Sequence, residues 1–339
     1  MSGNEPHLGL GEERAPEGEE AMIARIVEIQ ESVTDKSARP VPRGQHMKGH
    51  GCVKAEFIVE PGLPPTLAHG IFEGPRTFPA YIRFSNGAAR DDRKADVHGM
   101  AIKLLDVHGA KLLEDEPDAR TQDFILIDHP VFFIRDVADY VPFMEDFRRL
   151  KGGFGLGKLM VIGKALLSSD YRWSIARETL SKKPESPLRT SYWSTTPYRL
   201  GATAAKYSVT PDLAGAPAVV AFDSPDKLRL AMAAQLGSHE ARFNFLVQLQ
   251  ADPITMPVED PTIPWDAPWQ KVATIRIPPQ TFDTPDQMTF CENLSFTPWH
   301  SLPDHRPLGG INRARKAVYR EISRQRHELN GVAREEPTA

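Results

Sequence analysis

Cysteine is nearly missing from this chain of 339 residues, where only Cys52 and Cys291 occur. Two cysteines make no disulfide framework and here show no metal-ligand spacing, so the expectation is reduced structural thiols in a cytoplasmic protein. Long apolar runs are missing too. The most apolar stretches, such as Leu156 to Leu167, are broken by lysines and glycines and fall short of a bilayer span. No basic segment followed by an apolar one opens the chain, where Glu12, Glu13, Glu17, Glu19 and Glu20 crowd together, so no secretory signal is expected. A large excess of charge is also absent: 41 Lys and Arg stand against 45 Asp and Glu, a net charge of -4. That balance exerts no general pull on nucleic acid or an anionic membrane.

What is present is 40% hydrophobic sequence, enough to bury a large core. Residues 1–18 are polar and rich in Gly, Glu and Pro, which predicts a loose tail ahead of a single domain over 19–339. Met22, Ile23, Ile26, Val27 and Ile29 recur at helical spacing and predict a first helix ending before Pro40. Alternation from Val53 through Ala55, Phe57 and Val59 predicts a half-buried strand. A second strand over Phe78–Ser85 places Ala80, Ile82 and Phe84 on one face and Tyr81, Arg83 and Ser85 on the other. Further strands are expected at 100–105, 124–127, 131–134, 205–209, 219–222, 243–249 and 272–277. Helices are expected at about 137–151, 155–169 and 225–235, the first two within a helical insertion over about 137–182. The whole reads as an α+β protein, an antiparallel barrel surrounded by helices. Prolines gather in turns and in the extended connection from Asp252 to Trp269.

Two patterns are set aside on their chemistry. Gly152, Gly153, Gly155, Gly157 and Lys158 imitate a phosphate-binding loop, yet Leu159 replaces the metal-binding hydroxyl and a helix precedes the loop. The 11 histidines show no zinc spacing, and His300 and His305 read as structural.

The stretch with chemical content lies near the end. As a helix that Asn312 could cap and Asn330-Gly331 could stop, it places Arg315, Tyr319 and Arg326 at i, i+4 and i+11. At about 100° per residue the three fall within an arc of roughly 40°. A guanidinium beside a phenol favours phenolate, a hard anionic oxygen suited to ferric iron and one of the few axial ligands of haem.

Arg43-x-x-His46, Arg83-Phe-Ser85, Pro130-Val-Phe-Phe-Ile-Arg-Asp136 and Arg315-x-x-x-Tyr319 with Arg326 follow one another in this chain. In these segments, and in Glu292 to Pro298, the sequence resembles the catalase superfamily from about residue 40 to 331. It lacks the C-terminal helical region of typical catalases and looks more like the short, catalase-related haem peroxidases. The resemblance implies a catalase-like barrel with a proximal haem-ligand helix at its end, and haem b as cofactor. Tyr319 would be the iron ligand, its charge held by Arg315. His46 would be the distal acid–base group, with Ser85 orienting it. Arg43, Arg83 and Arg326 match positions that bind haem propionates, where guanidinium suits carboxylate. Phe132 and Phe133 would wall the pocket.

Departures from the family pattern shape the expected activity. An ungapped match puts Ile127 where catalases carry an asparagine, and a one-residue shift would put Asp128 in the distal pocket. Gln45 adjoins the distal histidine, His98 stands where arginine is common, and Thr203 stands where many catalases have a proximal histidine. These changes point to a peroxidase acting on hydrogen peroxide or organic hydroperoxides, with only weak catalase activity and an electron donor the sequence does not name. A fatty-acid hydroperoxide isomerase or lyase, and a haem-binding or sensing protein without turnover, are the alternatives. Family relatives are commonly oligomeric, so a homodimer or homotetramer is the expected assembly.

Overall fold

Residues 48–59 alternate in burial because Val53, Ala55, Phe57 and Val59 point one way and Lys54 and Glu56 the other. Such a strand needs partners on both edges, and it finds them antiparallel in Thr77–Asn86 and Trp269–Ile277. The computed structural model describes residues 8–34, 36–37, 39–151 and 171–338. The glycine-rich 152–158 and the helix expected at 155–169 lie outside these residues.

Nine strands are described: β1 Lys48–Val59, β2 Thr77–Asn86, β3 His98–Leu104, β4 Gln122–Ile127, β5 Tyr192–Trp193, β6 Tyr198–Leu200, β7 Thr203–Asp212, β8 Ala241–Leu249 and β9 Trp269–Ile277. Their order is β5-β4-β3-β2-β1-β9-β8-β7-β6, and a further β5 to β7 pairing closes eight of them into an antiparallel barrel. Closure leaves no free edge on those eight. Inside, Phe57 lies 5.0 Å from Phe245 and 6.2 Å from Phe124, and Phe124 lies 5.1 Å from Tyr207, all between ring centroids. This interior is a filled aromatic and aliphatic core. Chemistry therefore has to sit on the outside of the barrel.

Six helices are described around it: α1 Glu19–Val33, α2 Val137–Lys151, α3 Tyr171–Thr179, α4 Lys227–Leu236, α5 Pro285–Asn293 and α6 Gly310–Asn330. Ile26 and Ile29 of α1, Val137 and Met144 of α2 and Ile311 and Ala314 of α6 share a second apolar cluster. None of the described helices is long and apolar enough to cross a membrane.

Several expectations need correcting. Residues 131–134 are a loop, because Pro130 follows the strand end and the Asp136 carboxylate accepts from the Asp139 backbone N–H at 2.8 Å to start α2. Residues 219–222 are irregular: Pro217 and Pro225 flank them and Val220 is exposed. Residues 8–18 are not a loose tail. Glu13 pairs with Arg306 and, at 2.8 Å, with Arg313, and accepts from the Gly309 N–H at 2.7 Å, while the Gly11 N–H donates to Gln250 at 2.7 Å. The carboxylates of Glu13 and Glu259 thus lie at the start of α6, where the helix dipole favours them. Asn312 does not cap that helix, since it lies inside it and donates to the carbonyls of Pro197 and Leu308, both at 2.9 Å. Gly331, at φ 64°, stops the helix as expected.

The cysteines are not free either. Cys52 of β1 and Cys291 of α5 form a disulfide across 239 residues of sequence. A crosslink closing so long a loop constrains the unfolded chain strongly. Reducing it is expected to lower stability by about 2–5 kcal/mol, read from denaturant unfolding with and without a thiol reductant.

Candidate functional site

Arg83 and Ser85 of β2 point away from the barrel core, as their alternation with the buried Ile82 and Phe84 requires. Register places Arg83 beside Ala101 and Ser85 beside Gly99 on β3, then Ala101 beside Ile125 and Gly99 beside Ile127 on β4. Two small residues in the middle row leave a trough on the outer barrel wall. Opposite it runs α6, whose Arg315, Val318, Tyr319, Ile322, Ser323 and Arg326 face the same space. Between the two walls is a cavity of about 260 Å³, its side closed by Phe132, Phe133 and Tyr140.

On the barrel wall, His46 sits in the left-handed region at φ 53°, which is uncommon outside glycine and concentrates at functional sites. Its backbone is held from both ends: the N–H donates to the Gly87 carbonyl at 2.9 Å, and the carbonyl accepts from Arg83 at 2.8 Å. The ring Nδ1 lies 3.1 Å from Ser85 Oγ, which leaves Nε2 as the nitrogen able to serve a ligand. Gly99 makes room for the ring. A Cβ at that position would come within 2.6 Å of His46 Nδ1 and 3.0 Å of Ser85 Oγ. Burial first, and then the nearby cations of Arg83 and Arg315, push the His46 imidazole down to about 3. The ring is neutral at ordinary pH.

Gly99→Ala should therefore rotate the imidazole off Ser85 without touching α6. The expected result is retained ligand binding with any His46-dependent chemistry slowed at least about tenfold, since misplacing a reacting group by an ångström or so costs that and more. Unchanged rates in this variant would show that the ring position is not limiting.

On the helix wall, Arg315 Nη2 donates to the Tyr319 hydroxyl at 3.2 Å, and the guanidinium carbon stands 5.3 Å from the Tyr319 ring centroid. Burial opposes charge on Arg315, yet Tyr319 and Tyr198 hold it above its ordinary value. Arg315 Nη1 donates to Thr196 Oγ1 and Asn312 Oδ1, both at 3.2 Å. Thr196 is thus the threonine that meets Arg315. Thr203, which stands where many catalases have a proximal histidine, donates to the Gln250 carbonyl at 3.4 Å.

At the end of the cavity three guanidinium groups converge on one carboxylate. Arg43 donates to the carbonyls of Cys291 at 3.2 Å, Glu292 at 2.9 Å and Leu294, and its Nε lies 3.6 Å from the Glu292 carboxylate. Arg326 donates to the Glu292 carbonyl at 2.6 Å, and both Arg326 and Arg83 stand 3.9 Å from the carboxylate. Burial, together with mutual repulsion, lowers Arg83 to about 9 and Arg326 to about 10. The Nε atoms of Arg43 and Arg83 have no hydrogen-bond partner among the described residues. Three cations against one anion leave room for two further negative charges. A ligand with two carboxylates fits this cluster.

Asp128 is the sequence candidate that does not reach the cavity. Its carboxylate accepts from the His98 backbone N–H and pairs with His98 Nδ1, both at 2.8 Å. Ile127, the last residue of β4, lines the cavity in its place. Sequence reasoning missed Gln30, Tyr140 and Thr196 here, because each arrives from a segment without a motif. His300, read from sequence as structural, joins Glu116 and Glu336 in an ion-pair cluster whose two acidic members are also held by Arg334 and Lys103.

The eight-stranded antiparallel barrel with helices around it is a catalase-like fold. The chain superposes on a fungal catalase with a TM-score of 0.62 at 16% identity, covering 85% of this chain and 61% of that one. On a bacterial catalase the TM-score is 0.57 at 15% identity, over 98% of this chain and 67% of that one. The chain thus spans about three fifths of the length of the fungal protein. No family profile and no curated protein matches the sequence.

Proposed function

We propose that the cavity binds haem b and that the protein is a haem-dependent peroxidase cleaving the O–O bond of peroxides, organic hydroperoxides in particular. The observation that carries this reading is the convergence on one cavity of a phenol–guanidinium pair, a neutral histidine on the facing wall and an unneutralised arginine cluster. Tyr319 would supply an anionic oxygen to iron, with Arg315 holding its charge. Arg43, Arg83 and Arg326 would hold the two propionates, whose charges the cluster lacks. Haem iron, when bound, supplies the two-electron chemistry at the peroxide.

The chain's own part is proton management. With Nδ1–H donated to Ser85, the Nε2 lone pair of His46 takes the proton from the hydroxyl oxygen of ROOH and returns it to the leaving oxygen, so that ROH departs instead of an alkoxide. Two electrons and two protons from a donor complete the conversion to ROH and water. Ile125, Ile127, Phe132 and Phe133 make the cavity wall apolar, which suits the organic group of an alkyl hydroperoxide better than bare hydrogen peroxide.

The test is spectroscopic. Protein purified with added haem should take up one equivalent with a ferric tyrosinate-type spectrum, and one equivalent of an alkyl hydroperoxide should change that spectrum rapidly. Absence of stoichiometric haem would sink the proposal. Product analysis without any reductant separates it from the hydroperoxide isomerase or lyase reading, which needs no donor.

A further inference from the structure

Gln30 is an amide on the buried face of α1, between Ile29 and Val33, and is 3% exposed. Its side chain lines the cavity and makes no hydrogen bond among the described residues, where only its backbone carbonyl is engaged, by Thr34. A hydrocarbon would fill the same place more cheaply, since a buried amide without a partner is a desolvation cost. Space has been cleared for it as well. A Cβ on Gly44 would stand 2.9 Å from Gln30 Nε2, so the amide as placed reaches close to this glycine, which directly follows Arg43. The same Cβ would stand 3.6 Å from Ile322 of α6, one turn before Arg326. The free amide therefore lies at the end of the cavity where positive charge is in excess.

We propose that Gln30 is a haem-binding residue, its Nε2 hydrogens donated to a propionate beside Arg43 and Arg326, and that α1 thereby acts as a clasp over the bound cofactor. This rests on the haem reading above and assigns a role to a helix that carries no recognisable motif. A neutral donor complements the cluster there: it adds a hydrogen bond to the carboxylate without raising the repulsion among three guanidiniums.

The experiment compares wild type with Gln30→Leu, a change of similar volume that removes both donor and acceptor. Haem titration of the two apoproteins should show a dissociation constant raised about tenfold in the variant, the loss of one hydrogen bond to a charged group. Thermal melting of the variant apoprotein should be close to that of wild type, because the amide makes no hydrogen bond among the described residues that the change would break. Limited proteolysis within α1 should be suppressed by haem in wild type and less so in the variant. Equal haem affinity, or a variant apoprotein that melts much lower, would overturn the assignment and leave Gln30 a structural residue. Failure of wild type itself to bind haem would overturn both this inference and the haem reading.

Discussion

Tyr319→Phe is expected to abolish the wild-type haem spectrum and to weaken haem binding by more than about 100-fold, because the iron ligand is lost outright and even outer-shell partners are worth about 10–100-fold. The change is well isolated. Among the described residues the hydroxyl bonds only to Arg315, at 3.2 Å, and Arg315 keeps Thr196 and Asn312 as acceptors when it goes. The ring remains, so its stacking against the guanidinium and its packing on α6 are preserved. Apoprotein stability should accordingly change by no more than about 1 kcal/mol, the worth of one hydrogen bond. Removing the guanidinium instead, in Arg315→Met, should be milder, near the 10–100-fold cost of an outer-shell partner. A Tyr319→Phe protein that still takes up haem with the parent spectrum and affinity would place the ligand elsewhere.

How far this site could be read from sequence depends on which periodicity carried each residue. Arg83 and Ser85 were legible because a period of two, anchored by Ile82 and Phe84 in the core, leaves them only the outer face. Arg315, Tyr319 and Arg326 were legible for the corresponding helical reason, and all three line the cavity. Asp128 was misplaced because it lies just past the strand end, where alternation no longer dictates direction, and its carboxylate turned to His98. Glu292 and the carbonyls that hold Arg43 belong to the end of α5, brought to β1 by a long-range disulfide that no local pattern announces. Two cysteines in a chain of this length looked like thiols only because nothing in sequence says that residues 52 and 291 meet. Gln30 was invisible for a different reason. A polar residue on an apolar helix face reads as noise until the cavity behind it is seen.

His46→Ala should keep haem and lose the chemistry, with peroxide cleavage slowed by about 10²–10⁴, the usual worth of a positioned acid–base group. Haem retention follows because Tyr319 and the three arginines are untouched, although Arg83 donates to the His46 carbonyl, which alanine preserves. The pH profile of the wild type supplies a second, independent check. An imidazole held down to about 3 by burial and by Arg83 stays neutral far below the ordinary 6.5, so cleavage should show no acid limb near pH 6.5. The stability consequence has a definite sign. A folded-state value below the unfolded one means that His46 contributes stability above pH 6.5 and withdraws it as pH falls from 6.5 toward 3, because only the unfolded chain takes up the proton in that window. Activity at low pH should therefore fail by unfolding, with stability falling before the chemistry does. A single-turnover rate that declines around pH 6.5 in protein still folded by circular dichroism would mean that the imidazole titrates as if exposed, and would remove His46 from the role of buried proton carrier.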